Sequence, residues 1–200
     1  MKRICVFCGS GTGAHPDYAA AAVGLGHMLA ASGIGLVYGG ASIGMMGQVA
    51  NAVLDHGGEV IGVVPEFLAV KEVAYTGLDD LRIVPTMHER KALMSELADG
   101  FMALPGGLGT IEEFVEVLTW LQLGLHVKPC GLLNVRRYFD AFVEFLDHVT
   151  DQRFLEQSSR DMVLIAPDAG SLVKRMQNFR VDDSRSKIAW AVEMNTHGGE

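Results

Sequence analysis

Short apolar runs that do not alternate recur along the chain, separated by longer stretches with helical spacing. Residues 3–8, 35–38, 59–64, 81–84, 100–104, 130–135 and 162–166 predict strands. Unbroken Val, Ile and Leu, as in VIGVV, is the pattern of strands covered on both faces. Between them, residues 16–31, 45–56, 87–98, 111–123, 138–150 and 168–178 predict amphipathic helices. In the first of these, Tyr18, Ala22, Leu25 and Leu29 share one side and are expected to face the sheet. Asp168 is placed to cap the last helix. Strand–helix alternation implies right-handed crossovers. The predicted fold is therefore α/β, a Rossmann-like doubly wound sheet of about seven mostly parallel strands with helices on both faces. Residues 1–180 read as one domain and residues 181–200 as a polar C-terminal tail, with one short amphipathic piece at 188–194.

Glycine changes that picture, because its clusters fall where the strands end. GSGTG (9–13) follows the first strand, YGGASIGMMG (38–47) the second, and LPGGLGT (104–110) the fifth. Ligands of open parallel sheets bind beyond the carboxyl ends of the strands. Bare amides and helix N-termini there make an anion site. One such cluster would serve only as a tight turn, but three on one edge point to binding. Gly9, Ser10, Gly39, Gly40 and Gly44 are thus candidate substrate contacts. A dinucleotide fingerprint is not met: Gly9, Gly11 and Gly13 have the wrong spacing, and the second strand ends in Tyr38-Gly39-Gly40 without a ribose-binding acid. No G-x-x-x-x-G-K-[ST] occurs either.

Two acids, Glu112 and Glu113, follow the third glycine turn. Thr110 and Glu113 have capping-box spacing, and that structural role is a strong alternative. A second carboxylate beside an anion loop favours a ligand that also carries a sugar. Its hydroxyls donate to carboxylates, and an acid near the anomeric carbon stabilises oxocarbenium-like charge. In MHERKALM (87–94), Arg90 and Lys91 stand early in a helix, where the dipole disfavours cations. Their counter-charge is either a nearby acid such as Glu89 or Glu96, or a ligand phosphate, which suits Arg. His88 reads as structural.

Composition narrows the partners. The formal net charge of −8 argues against nucleic acid and membrane surfaces, and no apolar stretch is long enough to span a bilayer. Three cysteines do not form a disulfide framework, so a reducing cytoplasm is expected. Cys5 and Cys8, three apart on a strand, point to opposite faces and read as packed thiols instead of a metal or redox pair.

Taken together, PGGLGTIEE and MHERKALM resemble the patterns P-G-G-x-G-T-x-x-E and M-H-x-R-K-x-x-M of the LONELY GUY family, cytokinin riboside 5′-monophosphate phosphoribohydrolases. CVFCGS, VYGGASIGMMG, TWLQLGLHVKPCGLLNV and YFDAFVEFLD fit the same family in order, over residues 4–155. The resemblance implies hydrolysis of the N-glycosidic bond of a nucleoside 5′-monophosphate, with no cofactor and no metal. It implies a catalytic pair, Arg90 and Glu113, and substrate contacts at Gly106, Gly107, Leu108, Gly109, Thr110, Ile111, Glu112, Lys91, Thr119 and Glu72, the last in surroundings that depart from the family pattern. It also implies homodimers or larger homo-oligomers. Family members often bear a lysine decarboxylase label, yet nothing here identifies a Schiff-base lysine. A non-catalytic nucleotide carrier is the competing reading.

Overall fold

The computed structural model describes residues 1–69 and 74–181. Expectations for Glu72, for residues 188–194 and for nearly all of the tail lie outside the described residues.

Among the described residues, seven strands form a single sheet: β1 (Arg3–Phe7), β2 (Gly35–Tyr38), β3 (Val60–Pro65), β4 (Asp80–Val84), β5 (Phe101–Ala103), β6 (Cys130–Leu133) and β7 (Val163–Ala166). All paired strands are parallel, in the order β4-β3-β2-β1-β5-β6-β7. The helices are α1 (Pro16–Ala31), α2 (Gly44–Leu54), the short α3 (Glu66–Ala69), α4 (Met87–Leu97), α5 (Leu108–Gln122), α6 (Asp140–Asp151), the short α7 (Gln157–Arg160) and α8 (Ala169–Asn178).

The two-sided burial expected of the strands is seen residue by residue. Ile4, Val6 and Cys8 belong to a core with Ala22, Leu25 and Leu29 of α1 and Leu172 and Met176 of α8. Cys5 and Phe7 belong to the opposite core, with Met94 of α4 and Phe114 and Val117 of α5. Cys5, Cys8 and Cys130 are buried free thiols, and Cys5 and Cys8 do lie on opposite faces. Asp168 caps α8, accepting from the Ser171 N–H at 2.8 Å.

The sequence reading differs from the structure mainly at element starts. The helix expected from Tyr138 begins two residues later, after a single 3-10 turn at Val135–Arg137 in which Arg136 and Arg137 take left-handed φ of 52° and 61°. The helix expected from Ile111 begins at Leu108. Gly107, extended at φ −87° and ψ −157°, becomes its N-cap, so Thr110 lies inside the first turn and is buried. The Thr110–Glu113 capping box is therefore not formed, and no side chain caps α5. With the helix starting earlier, Glu113 lies beyond its first turn, and its carboxylate meets Arg90 of α4 instead.

The chain runs outward from β1 to β4 and crosses back to β5, so strand order reverses between β1 and β5. That reversal opens a crevice between the loops after the two strands.

Candidate active site at the sheet switch point

The crevice is a cleft of about 300 Å³. Gly9 and Ser10 from the loop after β1, Gly39 from the loop after β2, Gly107 and Leu108, Gly109 and Thr110 at the start of α5, and Arg90 with Glu113 all line it. Val6, Phe7 and Cys8 at the end of β1, with Met46 and Met94, complete its lining. Burial, then the Glu113 carboxylate, pushes the Cys8 thiol up, so this cysteine is a neutral wall and not a nucleophile.

Arg90 reaches the cleft from α4 and is only 8% exposed. Its Nε donates to the Val63 carbonyl at 3.1 Å and its Nη2 to the Gly39 carbonyl at 3.2 Å. These two bonds fix the guanidinium plane. The remaining Nη1 faces Glu113 Oε1 at 3.5 Å and the Met87 sulfur at 3.5 Å. A Cβ at position 39 would collide with Nη2, so only glycine lets the cation approach this backbone. Neither Glu89 nor Glu96 is the counter-charge. Arg90 pairs with an acid from the next helix.

Burial raises the Glu113 pKa, and Arg90, the next influence, opposes that rise without cancelling it. The carboxylate is thus a stronger base than an exposed glutamate. It stands one and a half turns inside α5. Closer to the helix start, the first-turn amides of Gly107 to Thr110 have no intrahelical acceptor. With no side-chain cap, they form a positive, hydrogen-bonding helix end open to the cleft. A Cβ at Gly107 or Gly109 would meet nothing within 4 Å, and neither residue has positive φ. Glycine there serves neither packing nor turn geometry; it leaves the backbone bare to whatever enters. Gly106 is different, since a Cβ would collide with Thr110 and lie 2.7 Å from the Gly9 N. It lets the two glycine loops touch.

Other expected contacts sit around this centre. Gly106 lines an adjoining cleft of about 420 Å³ with Tyr18, Met45 and Tyr138. Gly40 lines an apolar pocket of about 190 Å³ that shares Gly39, Met46 and Arg90 with the main cleft. Gly44, at φ +61°, begins α2 beneath the Ser10 carbonyl, where any side chain would clash. Lys91 turns away from the cleft to bond Glu112 at 2.7 Å and Glu116 at 2.9 Å. Burial pulls its ammonium down, but the bonds to the two acids prevail and leave its pKa raised. Ile111 is half-buried on α5 and lines none of these cavities. Thr119, further along α5, donates to the Val115 carbonyl at 2.7 Å, within its own helix.

Sequence reasoning missed Glu116, Met94 and the carbonyls of Val63 and Gly39. Glu116 had a signal, since Glu112 and Glu116 are like charges at i, i+4, a spacing that a cation between them relieves. The carbonyl anchors had none.

A helix start ready for an anion, with an Arg–Glu pair behind it at the switch point of a parallel sheet, defines a Rossmann-like α/β protein of the ligand-binding class. Residues 46–176 match the family described as "Possible lysine decarboxylase". A cytokinin riboside 5′-monophosphate phosphoribohydrolase of Arabidopsis thaliana is 44% identical over 202 residues, covering 100% of this chain and 94% of that protein. One from Oryza sativa subsp. japonica is 47% identical over 194 residues, covering 97% and 80%. The chain belongs to the LONELY GUY family. In solved structures the same fold is seen in the molybdenum cofactor binding protein from Rippkaea orientalis, with TM-score 0.67, 22% identity, and 89% and 97% of the two chains covered. The molybdenum cofactor carrier protein from Chlamydomonas reinhardtii gives TM-score 0.67 and 21% identity over 89% and 99%. These two likenesses concern the fold alone.

Proposed function

We propose that this protein hydrolyses the N-glycosidic bond of N6-modified adenosine 5′-monophosphates, releasing the free base and ribose 5-phosphate. Its relatives named for this reaction support the substrate class. The observation that carries the chemistry is the placement of the Arg90–Glu113 pair one turn beyond the bare amides of Gly107 to Thr110, in the same cleft. The 5′-phosphate is held by these amides and the helix dipole. Because Glu113 lies further along the helix, it meets the ribose and not the phosphate. There the carboxylate stabilises positive charge at the anomeric carbon as the bond to the base breaks, and accepts a proton from the attacking water. The base leaves with the bonding electrons and takes up a proton. Arg90, held by two carbonyls, orients Glu113 through Nη1.

Lysine chemistry is disfavoured by Lys91 itself. Two carboxylates hold it protonated, whereas a Schiff-base lysine needs a depressed pKa. Pairing of two copies is supported by exposed apolar side chains on and after α5: Val115, Leu123, Leu125 and Val127. Three free thiols fit a reducing compartment such as the cytoplasm. Among the described residues no helix is long and apolar enough to cross a membrane.

The test incubates purified protein with isopentenyladenosine monophosphate, AMP and adenosine and separates free base by chromatography. Base release that requires the 5′-phosphate is expected. Tight nucleotide binding with no base release from any of them would instead establish a carrier.

A further inference from the structure

We propose that Tyr138 is a positioning residue for the anion site, orienting the Gly106–Gly107 peptide so that its N–H serves the ligand phosphate. The proposal rests on the phosphate site described above. The Tyr138 hydroxyl donates to the Gly106 carbonyl at 2.6 Å, across 32 positions of sequence. No peptide bond among the described residues is cis. In a trans peptide the C=O and the following N–H point in opposite directions. Drawing the Gly106 carbonyl toward Tyr138 therefore turns the Gly107 N–H to the side away from Tyr138, and Gly107 lines the cleft it shares with Glu113 as well as the one it shares with Tyr138. Gly106 and Gly107 have little intrinsic preference to hold that orientation. Without an external bond the peptide can rotate and present its carbonyl to the anion.

Tyr138 is itself placed by a backbone turn that a sequence does not adopt cheaply. Arg136 and Arg137, neither of them glycine, both take left-handed φ of 52° and 61°. Conformations of this kind persist where surrounding contacts impose them. Here Asn134 accepts from the Phe139 N–H and donates to Asp140, both at 2.8 Å. Arg136 reaches Asp17 on α1 at 3.1 Å and Arg137 reaches Asp140. The ring packs edge-on against Tyr18, with centroids 5.7 Å apart. A half-exposed tyrosine whose hydroxyl water could solvate is thus fixed on one carbonyl of the anion loop.

Tyr138→Phe keeps the ring contacts and removes only the hydroxyl. Calorimetric binding of ribose 5-phosphate, alongside kinetics on AMP and isopentenyladenosine monophosphate, reads the effect. The expected result is a roughly five- to tenfold weaker Kd and higher KM, the size of one lost hydrogen bond. kcat and the Kd for adenosine are expected to stay unchanged, with a thermal midpoint close to the parent's. Equal losses for adenosine and ribose 5-phosphate, a loss confined to kcat, or no loss at all would overturn the proposal. If the parent binds ribose 5-phosphate but turns over no nucleotide, hydrolysis fails while the binding comparison still decides the role of Tyr138. If the folded parent does not bind it but still turns over nucleotide, only the role of Tyr138 falls; if it does neither, both fall.

Discussion

Replacing Glu113 by Gln separates catalysis from stability, because the two effects have opposite signs. Gln has the same shape and still offers an amide oxygen to Arg90 Nη1, 3.5 Å from the present carboxylate oxygen. Arg90 keeps its bonds to Val63 and Gly39, so its donors stay satisfied although its counter-charge is gone. The folded-state pKa of Glu113 is raised by burial, the largest influence, so the native state binds its proton more tightly than the unfolded chain does. For such an acid, stability is highest below the unfolded pKa. It falls as pH rises toward the folded value, and the penalty is complete above it. At neutral pH, Glu113→Gln removes that penalty. Its thermal midpoint is expected to equal or exceed the parent's, where 1 kcal/mol corresponds to about 2–4 °C for a chain of this size. Turnover responds differently. Losing one decisive transition-state contact costs about 3 kcal/mol, or about a hundredfold in rate. Thermal unfolding and chromatographic base release from isopentenyladenosine monophosphate measure both in one preparation. A Gln variant within a few-fold of parental turnover would remove Glu113 from the chemistry. One that melts well below the parent would show that the acid fastens α5 to α4, with any activity loss secondary.

The remaining predictions concern the same cleft. If the ionised Glu113 is the working form, kcat/KM falls on the acid side through a pKa above the ordinary glutamate range, and the Gln variant lacks that limb. A pH–rate profile checks this. Gly109→Ala is expected to stabilise the helix by about 0.5–1 kcal/mol, since its methyl meets nothing, while raising KM for phosphorylated substrates tenfold or more. A higher thermal midpoint with unchanged KM would show that no ligand approaches there. Gly39→Ala drives a methyl into the Arg90 guanidinium and to 3.1 Å from the Met46 sulfur. Its overpacking is expected to cost about 1–3 kcal/mol and to abolish turnover, as read by denaturant unfolding and base release.

Much of this protein was legible in its residues. Unbroken apolar strands, helical spacing between them and glycine at strand ends required a parallel sheet with binding on one edge, because burial and backbone sterics act locally. The motifs around Arg90 and Glu113 gave the family. Three things were decided only by the fold. Whether Thr110 and Glu113 would cap their own helix or Glu113 would face the cleft depended on α5 starting at Leu108, with Gly107 and not Thr110 at its N-cap. Which acid answered each cation depended on α4 lying beside α5: Glu113 for Arg90, and Glu112 with Glu116 for Lys91. The grip of Tyr138 on Gly106 spans 32 positions and rests on a left-handed turn of two arginines, which no local propensity favours. Chain-local forces chose the elements, and contacts between distant segments chose how the charges meet.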